Sequence, residues 1–463
     1  MEGPDGAKRF HSVILDEGEC KGCTVCVTTC PVEAIRVRGG KARILAERCI
    51  DCGECIRRCP NRAKKARADS LSALQGGGEF DRFDWKIALP APSLYGQFPS
   101  RFSVDAIHRG LLALGFDEVF PVARATGHVA RAVRALLDRE RYPDLPRPLI
   151  SSSCPTIVKV IQIRFPTLIE HIAPILAPIE IAGRLAREEA ASAHPDKKNV
   201  GCFFISPCAG KITEAKAPIG NEESSIDGVF SMKDVHLPIL QALSRTASAN
   251  GSGQDQAARA SEIAWGRAGG EAEATVAGGK TSWLACDGMD ECERLLEAAE
   301  NGKLGSIDFL ELMACSGGCV GGPLAVENAT LARHVLVERE KALAERESAR
   351  IREREVDLAR LPDHAAAEEP ADCLRASPFA PRPALRLDGD FGKARAMMEE
   401  MEAIAASLPG LDCGCCGSPN CHALAEDIVR GTASRTDCVI ILKEQYRDLL
   451  ERGDSLNQAE EDA

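Results

Sequence analysis

Short apolar runs alternate with helical patterns in the central part of the chain. Stretches with helical periodicity separate the runs that predict strands, which occur at 86–89, 118–122, 149–150, 200–205, 283–285 and 307–313. Such alternation is typical of an α/β domain with largely parallel strands, and it places this domain at residues 85–335. Within it, residues 244–279 are rich in Ala, Gly, Ser and Gln, which predicts a surface insertion or flexible segment.

Smaller regions flank the central domain. Residues 1–66 are dense in cysteine, and the glycine-containing stretch 67–84 predicts a linker. Residues 336–390 predict an amphipathic helix and a second linker, and 391–463 a compact tail. The helix carries apolar residues at steps of seven or eight, namely Leu336, Leu343, Ile351 and Leu358. This stripe is narrow and favours a solvated helix packed on the body, with a coiled coil between two copies of the chain as the alternative.

Charge and hydropathy narrow the class of protein. The chain has 69 acidic and 57 basic residues and a formal charge of −12, so we expect no nucleic-acid or anionic-membrane partner. Because neither a signal-like segment near the start nor a membrane-spanning run is present in the sequence, we expect a cytoplasmic protein. The reducing cytoplasm disfavours disulfides, so the 21 cysteines should be metal ligands, reactive thiols or small buried apolar residues, and their spacing predicts that most are metal ligands.

Eight cysteines near the amino terminus form two copies of the pattern C-x2-C-x2-C-x3-C-P. Thiolates at these spacings bind cubane iron–sulfur clusters, and the fourth cysteine of each run ligates the other cluster. One 4Fe-4S cluster is therefore predicted at Cys20, Cys23, Cys26 and Cys59, and the second at Cys49, Cys52, Cys55 and Cys30. The alternative is two structural zinc sites. Pro31 and Pro60, which follow the fourth cysteines, are expected to begin helices whose amide-rich ends favour the negative clusters.

Four cysteines of the central domain lie just after predicted strands, in the segments 151–155, 206–214 and 313–322. They are Cys154, Cys208, Cys315 and Cys319. Because ligands gather where parallel strands end and helices begin, the three segments are expected to converge on one site. Pro155 would begin a helix capped by Cys154, at a positive helix end that favours the ionised thiol. The two glycines between Cys315 and Cys319 would let the backbone approach a cluster closely.

In order and content these segments resemble the three signature motifs of the FeFe (iron-only) hydrogenases, over about residues 87–335. The resemblance implies an H-cluster, in which a 4Fe-4S cubane is joined to a diiron unit carrying CO, cyanide and a bridging dithiolate. It implies that Cys154, Cys208 and Cys315 hold the cubane, and that Cys319 ligates it and bridges to the diiron unit.

The same resemblance assigns further pocket residues. Lys211 matches the lysine that donates to a diiron cyanide, and Met313 matches the methionine that lines the diiron pocket. Pro92 and Ser93 resemble the first pocket segment, where the serine can contact the other cyanide, and Pro207 stands beside Cys208 in the second motif.

The chain departs from the family pattern in its proton relay. Efficient members carry a cysteine where this chain has Ser153, and they carry glutamates on the helix that corresponds to 130–134, which contains no carboxylate here. Ser206 replaces the methionine of the second motif, and Pro323 and Leu324 replace glycines. Since the metal ligands are intact, this combination resembles the sensory branches of the family. It implies an enzyme of low activity that reports to a redox partner or a downstream signalling protein.

A third cysteine group lies near the carboxyl terminus. It matches a small 4Fe-4S domain found in sensory hydrogenases and electron-transfer subunits, with the predicted ligands Cys413, Cys416, Cys421 and Cys438. Cys415 would be a spare thiol, and a zinc knuckle is the alternative. Outside any motif, and expected to be buried or incidental thiols, lie Cys202, Cys286, Cys292 and Cys373.

The leading hypothesis is an oxidoreductase that interconverts H2 with protons and electrons at an H-cluster and passes electrons through 4Fe-4S clusters. The alternative is an iron–sulfur maturation factor or electron-transfer protein without the diiron unit. Lys211, Met313 and Cys319 argue against this alternative, because such a protein would not need a diiron pocket. A plain polyferredoxin would leave the large α/β domain unexplained.

Overall fold

The chain folds into two compact units in the computed structural model, which describes residues 10–219, 223–245, 259–276, 281–353, 370–384 and 386–461. The smaller unit comprises segments 1–49, 54–65 and 383–463, so the two cysteine-rich regions from opposite ends of the chain belong to one unit. The larger unit comprises 50–53 and 66–382. The sequence had predicted separate domains at the two ends, residues 1–66 and 391–463.

The amino-terminal part of the smaller unit is built from short elements. Strand β1 (Val13–Leu15) pairs with β4 (Lys64–Ala66), and β2 (Ile35–Arg38) pairs antiparallel with β3 (Lys41–Ile44). The helices are α1 (Val25–Thr28) and α2 (Glu54–Arg58), and each ends before the fourth cysteine of its run.

The prediction that Pro31 and Pro60 begin helices is wrong. Both prolines lie in turns that lead directly into a strand. In each turn a backbone N–H is directed at the preceding cysteine sulfur, from Ala34 to Cys30 Sγ at 3.2 Å and from Ala63 to Cys59 Sγ at 3.3 Å. Local amides of the turn therefore supply the positive dipoles that a helix end was expected to supply.

Two parallel sheets form the centre of the larger unit, which confirms the predicted α/β class. The first has the order β6-β5-β8-β9 and the second β10-β11-β7, and every pairing in both sheets is parallel. The strands are β5 (Trp85–Pro90), β6 (Glu118–Val119), β7 (Leu149–Ile150), β8 (Val200–Ser206), β9 (Gly228–Ser231), β10 (Trp283–Asp287) and β11 (Phe309–Met313). The central strands are buried, since residues 87–89 and 203–205 are almost completely inaccessible.

Helices pack around these sheets. They are α3 (Val104–Leu112), α4 (Ala123–Leu137), α5 (Pro155–Arg164), α6 (Pro178–Ala193), α7 (Ala209–Lys216), α8 (Met232–Arg245), α9 (Ala260–Ile263), α10 (Gly270–Val276), α11 (Met289–Glu300) and α12 (Ala329–Glu353). Leu336 and Leu343 of α12 are buried, as expected for a helix packed on the body. Leu358 and the side chain of Ile351 lie outside the described residues.

The prediction of a flexible insertion at 244–279 is wrong for residues 259–276. This segment forms α9 and α10, and Ile263 and Ala272 are fully buried. Its small residues serve close packing, because a Cβ on Gly266 would lie 2.8 Å from the backbone nitrogen of Ser93. Residues 246–258 and 277–280 lie outside the described part of the chain.

The carboxy-terminal part of the smaller unit is helical, as predicted. It contains α13 (Phe391–Ser407), α14 (Cys421–Val429) and α15 (Val439–Glu461). The side chains of Asp390 and Asn420 cap the first two helices by accepting backbone N–H groups. A small core holds the region together, made by Met401, Leu408, Leu424, Ala425 and Cys438. Within the described residues, the helices are too short or too polar to cross a membrane.

Candidate metal centre

A buried cavity lies where strands of the larger unit end. Segments that follow β7, β8 and β11 contribute the four predicted ligands to its wall, namely Cys154, Cys208, Cys315 and Cys319. The empty volume between the lining residues, including the mouth of the cavity, is about 890 Å³. The two parallel sheets thus bring together thiols that are up to 165 positions apart in the sequence (154 to 319).

Helix starts and a glycine loop hold these cysteines. Cys154 is the N-cap of α5, which begins at Pro155, as predicted. Cys208 is the N-cap of α7, and its Sγ accepts the backbone N–H of Lys211 at 3.4 Å. Between Cys315 and Cys319, Gly317 and Gly318 adopt φ values of +81° and +87°. A Cβ on Gly318 would lie 2.5 Å from the backbone nitrogen of Ala268, so the close approach made by this loop is to another part of the chain.

The thiol set fits the cationic iron–sulfur core of a cluster. Burial raises the pKa of the Cys208 thiol to about 11 and that of the Cys319 thiol to about 12. Thiols with these pKa values are protonated near neutral pH, and metal ions bind the thiolate. Iron in a cluster would supply the positive charge that ionises them, so binding would release protons and stabilise this region.

Lys211 brings a fixed positive charge to the cavity wall. Its Nζ donates to the Ser153 carbonyl at 2.8 Å and contacts Glu214 Oε2 at 3.3 Å. Burial by itself would lower the pKa of Lys211, but the negative charge of Glu214, with a smaller contribution from the neighbouring cysteines, outweighs burial and raises it. Lys211 is therefore charged near neutral pH and can donate to an anionic ligand.

Two buried donors in the cavity have no acceptor within the described part of the chain. These are the Ser93 hydroxyl and the Trp265 indole N–H. A buried donor without an acceptor is costly, so this pattern suits a bound group that presents acceptor atoms. Cyanide ligands on a diiron unit would be such acceptors. The remaining predicted wall residues, Pro92, Pro207 and Met313, also line the cavity.

A buried carboxylate that the sequence analysis missed faces the same cavity. Glu271 of α10 accepts hydrogen bonds from the Ser151 hydroxyl at 2.8 and 2.7 Å, and the Ser153 hydroxyl also reaches it. Burial raises the pKa of Glu271, and burial together with the charge of Glu271 raises the pKa of Glu311 in β11. Glu311 accepts the backbone N–H groups of Gly269 and Ala272 at 2.9 and 2.8 Å.

Only one of these two carboxylates could have been noticed in the sequence. Glu311 interrupts the apolar run Phe-Leu-Glu-Leu-Met of β11, and a carboxylate inside a buried strand is unusual. Glu271 lies in the Ala- and Gly-rich segment that composition assigned to an insertion, so nothing in its local sequence marked it.

A second cavity lies next to the first in the larger unit. Thr126 and Trp265 line both cavities. The second cavity also contains Glu273 and Glu340, to which Arg267 donates at 2.6 and 3.1 Å. The Glu273 side chain is 47% exposed. The second cavity thus contains a partly exposed carboxylate two positions after Glu271 on α10.

The smaller unit contains the predicted site of the first amino-terminal cluster. Cys20, Cys23, Cys26 and Cys59 line one small cavity together with Val37 and Lys64. Of the second set, Cys30 and Cys55 interact electrostatically, and burial raises the pKa of Cys55 to about 12. Cys52 belongs to the larger unit, where it lines the large cavity.

In the carboxy-terminal region, Cys416 and Cys421 pack beside the buried Cys438. Cys413 and Cys415 are exposed, and their side chains hydrogen-bond to each other. The Asp412 carboxylate accepts the Cys421 N–H at 2.7 Å and so fixes the start of α14. Outside the motifs, Cys202, Cys292 and Cys373 are buried, and Cys286 is partly exposed and hydrogen-bonded to Cys292.

Comparison with protein families identifies the class to which the chain belongs. The model for the iron-only hydrogenase large subunit, C-terminal domain, matches residues 86–276 and 238–323, about half of the chain. A 4Fe-4S dicluster domain matches 12–60, and an Fe-S cluster model matches 408–440. The chain is a member of the iron-only hydrogenase family, with iron–sulfur domains on both sides of the hydrogenase domain.

Individual relatives are distant. Iron hydrogenase 1 of Clostridium pasteurianum is 25% identical over 376 residues, which cover 68% of this chain and 65% of that protein. The periplasmic iron hydrogenase large subunit of Nitratidesulfovibrio vulgaris is 25% identical over 364 residues, 68% of this chain and 86% of that protein. A solved FeFe-hydrogenase of Chlamydomonas reinhardtii is 17% identical with a TM-score of 0.46, covering 67% of this chain and 98% of that one. The chain thus spans slightly less than two thirds of the first of these relatives.

Proposed function

We propose that this protein interconverts H2 with protons and electrons at an H-cluster bound in the large cavity. The observation that carries the proposal is the convergence of Cys154, Cys208, Cys315, Cys319 and Lys211 on one buried space. The four thiols would hold the cluster, with Cys319 bridging to its diiron unit. When bound, the H-cluster supplies the iron chemistry at which H2 is cleaved and formed.

The chain contributes an environment of fixed donors and apolar walls. Lys211, Ser93 and Trp265 would donate hydrogen bonds to the acceptor ligands of the diiron unit, which orients them and stabilises their charge. Pro92 and Met313 line the cavity without competing polar groups. Their apolar surface limits the entry of water.

Ser153 and Glu271 would carry protons between the cavity and the second cavity. Ser153 hydrogen-bonds Glu271, and the raised pKa of Glu271 allows this carboxyl to hold a proton nearer neutral pH than an exposed glutamate does. Glu273 and Glu340 would exchange the proton with solvent in the second cavity. A serine hydroxyl is far less acidic than the family's relay thiol, whose ordinary pKa is about 8.5, so turnover is slow.

Slow turnover and the accessory clusters support a sensory role in the cytoplasm. A redox state that exchanges slowly with solvent protons persists long enough for another protein to respond to it. Electrons would pass between the accessory 4Fe-4S clusters and the H-cluster. The receiver would be a redox partner or a downstream signalling protein.

Infrared spectroscopy of protein produced together with the diiron maturation machinery tests the proposal. The expected result is a set of bands from iron-bound CO and cyanide, with about 18 iron atoms per chain from four cubanes and one diiron unit. Protein produced without that machinery is the control, with about 16 iron atoms and none of these bands. If both preparations contain only cubane iron, the chain is an electron-transfer or maturation protein without a diiron unit.

A further inference from the structure

A buried charge network joins the two ends of the chain within the smaller unit. Asp427 of α14 accepts from Arg36 Nε at 2.6 Å, from Arg38 Nη2 at 2.8 Å and from Ser418 Oγ at 2.7 Å. The side chains of Arg36 and Asp427 are 5% and 7% exposed, and Arg38 is 19% exposed. Charges this deeply buried are rarely incidental, because their desolvation has to be offset by good geometry.

A second buried pair supports the same contact. Arg48 donates to Glu426 Oε1, which also accepts from Arg430 at 2.8 Å. The Arg48 and Glu426 side chains are 4% and 10% exposed. Burial by itself would raise the pKa of Glu426, but Arg48 and Arg430 lower it, so this carboxylate is charged at neutral pH. Two neighbouring carboxylates of α14 are therefore matched by arginines from the amino-terminal region.

Backbone contacts place the carboxy-terminal cysteine loop against strand β2. The Val37 N–H donates to the Gly417 carbonyl at 2.8 Å, and Arg38 Nη1 donates to the Cys416 carbonyl at 3.0 Å. Gly417 has φ +81°, and a Cβ there would collide with the Val37 carbonyl oxygen. A Cβ on Gly414 would lie 2.8 Å from Thr28 Cγ2. The absence of a side chain at Gly414 and Gly417 thus lets the loop pack closely against the amino-terminal region.

The surface that receives this loop is the wall of the first amino-terminal cluster site. Val37 lines the cavity formed by Cys20, Cys23, Cys26 and Cys59. Its backbone also bonds to Gly417, the residue after the predicted ligand Cys416. Thr28, which lies next to Gly414 of the loop, is two positions after the predicted ligand Cys26. A single residue of backbone therefore separates the carboxy-terminal loop from the cavity of the first cluster.

We propose that Asp427 and Glu426 are positioning residues that dock the carboxy-terminal cluster on the first amino-terminal cluster, making these two clusters a direct electron-exchange pair. The proposal rests on the proposed function only in requiring that both cysteine sets bind 4Fe-4S clusters. In each exchange one electron leaves the reduced cluster and enters the oxidised one. No bond is made or broken, and no further reactant is needed. The carboxy-terminal cluster is then an extension of the electron path of the ferredoxin domain.

Electron paramagnetic resonance of the fully reduced full-length chain tests this pairing, because neighbouring reduced cubanes broaden each other's signals. Protein produced without the diiron machinery is used, so the result does not depend on H-cluster formation. We expect Cys413→Ser, which removes the carboxy-terminal cluster, to narrow the wild-type signal. Asp427→Asn should narrow it to a similar extent while keeping about 16 iron atoms per chain. Asp448→Asn, the same charge change at an exposed position of α15, should leave the broadening intact.

The proposal would be overturned if Asp427→Asn kept its full iron content and its resonance signal stayed as broad as that of the wild type. It would also be overturned if Cys413→Ser left the signal or the iron content unchanged. Should Asp427→Asn lose the carboxy-terminal iron, the less buried Arg38→Gln is measured by amide hydrogen exchange. The Val37 N–H donates to the Gly417 carbonyl, and loss of this hydrogen bond would leave the amide less protected. The proposal therefore requires the exchange of the Val37 amide to speed up at least about tenfold in Arg38→Gln. Unchanged exchange at Val37 in Arg38→Gln would equally refute docking by this network.

Discussion

The predicted amino-terminal cluster sites and the large cavity position their cysteine ligands in opposite ways. In the smaller unit the ligands are close in sequence, and the helices that carry them are only four and five residues long. In the larger unit the four predicted ligands come from three distant segments, held by buried parallel sheets and by helix starts. Short elements with little core depend on bound metal for stability, whereas a large core keeps its shape without it.

The two kinds of site should tolerate substitutions differently. A lost ligand in a cluster loop should remove that cluster and loosen its surroundings. A lost ligand in the large cavity should alter the bound group while the sheets persist. The cavity should instead be sensitive to residues that bind no metal, because its donors, its carboxylate and its glycine loop are all supplied by packing.

The largest expected effect is that of Cys319→Ser. We expect loss of the diiron unit and its CO and cyanide bands, and hydrogen turnover at background, because Cys319 is the predicted bridge. Cys413→Ser should instead lose about four iron atoms and keep the infrared bands. The exposed Cys415→Ser is the matched control and should lose neither. Retention of the diiron bands in Cys319→Ser would refute the ligand assignment.

Glu271→Gln should give the next largest effect, a decrease in turnover on the order of 100-fold. The amide keeps the shape of the side chain but cannot accept and release a proton, so the route from Ser153 is interrupted. Turnover is measured per H-cluster, with infrared bands that should match the wild type. The exposed Glu291→Gln of α11 serves as the control. If Glu271→Gln stays within twofold of the wild type, protons take another path.

The sequence was most informative where ligands are local. The repeated spacing predicted the two amino-terminal cluster sites, and the alternation of apolar runs and helices predicted the α/β class and the convergence of Cys154, Cys208 and Cys315. Glu271 and Trp265 could not be found, because they reach the cavity only through the packing of a segment whose composition is typical of loops. The joining of the two ends depends on Arg36 and Asp427, 391 positions apart, and no local pattern encodes such a pair.

Two adjacent glycines show how tightly the cavity loop is packed. Gly317 and Gly318 both have positive φ, so either alanine variant should cost about 1–2 kcal/mol in the free energy of unfolding. A Cβ on Gly317 would meet nothing closer than 3.5 Å, whereas one on Gly318 would lie 2.5 Å from the Ala268 nitrogen. Overpacking should add roughly 1–3 kcal/mol to the cost of Gly318→Ala. Anaerobic thermal unfolding of both variants checks this, and equal midpoints would contradict the packing described for Gly318.

Burial of Glu271 should also appear in the pH dependence of stability. Its pKa is raised in the folded protein above the ordinary value of 4.5, so the neutral form is the one that folding favours. The contribution of neutral Glu271 to the free energy of unfolding is complete below pH 4.5. It is lost as the pH rises through the raised pKa, and the total loss is about 1.4 kcal/mol for each unit by which folding raises this pKa. Glu271→Gln should therefore gain stability relative to the wild type as the pH rises from 4.5 to about 7, the raised pKa of Glu271, and should gain no more above it. If the unfolding midpoints of the wild type and Glu271→Gln change with pH in the same way across this range, Glu271 is not desolvated.

The smallest expected effect concerns the first residue of the proton route. Ser153→Cys introduces a thiol with an ordinary pKa of about 8.5, which can release a proton far more readily than a hydroxyl. The gain should be limited to a few-fold, on the scale of one improved transfer step, because Glu271 and the groups beyond it in the proposed proton route are unchanged. Ser152→Cys is the matched control, since the Ser152 hydroxyl donates to the Ile175 carbonyl and the residue does not line the cavity.

Turnover in both directions is compared per H-cluster, with infrared spectra confirming equal loading. Wild-type turnover equal to that of an efficient metabolic hydrogenase would refute the slow relay and the sensory role inferred from it, and an equal gain in Ser152→Cys would show that the added thiol does not act through Glu271.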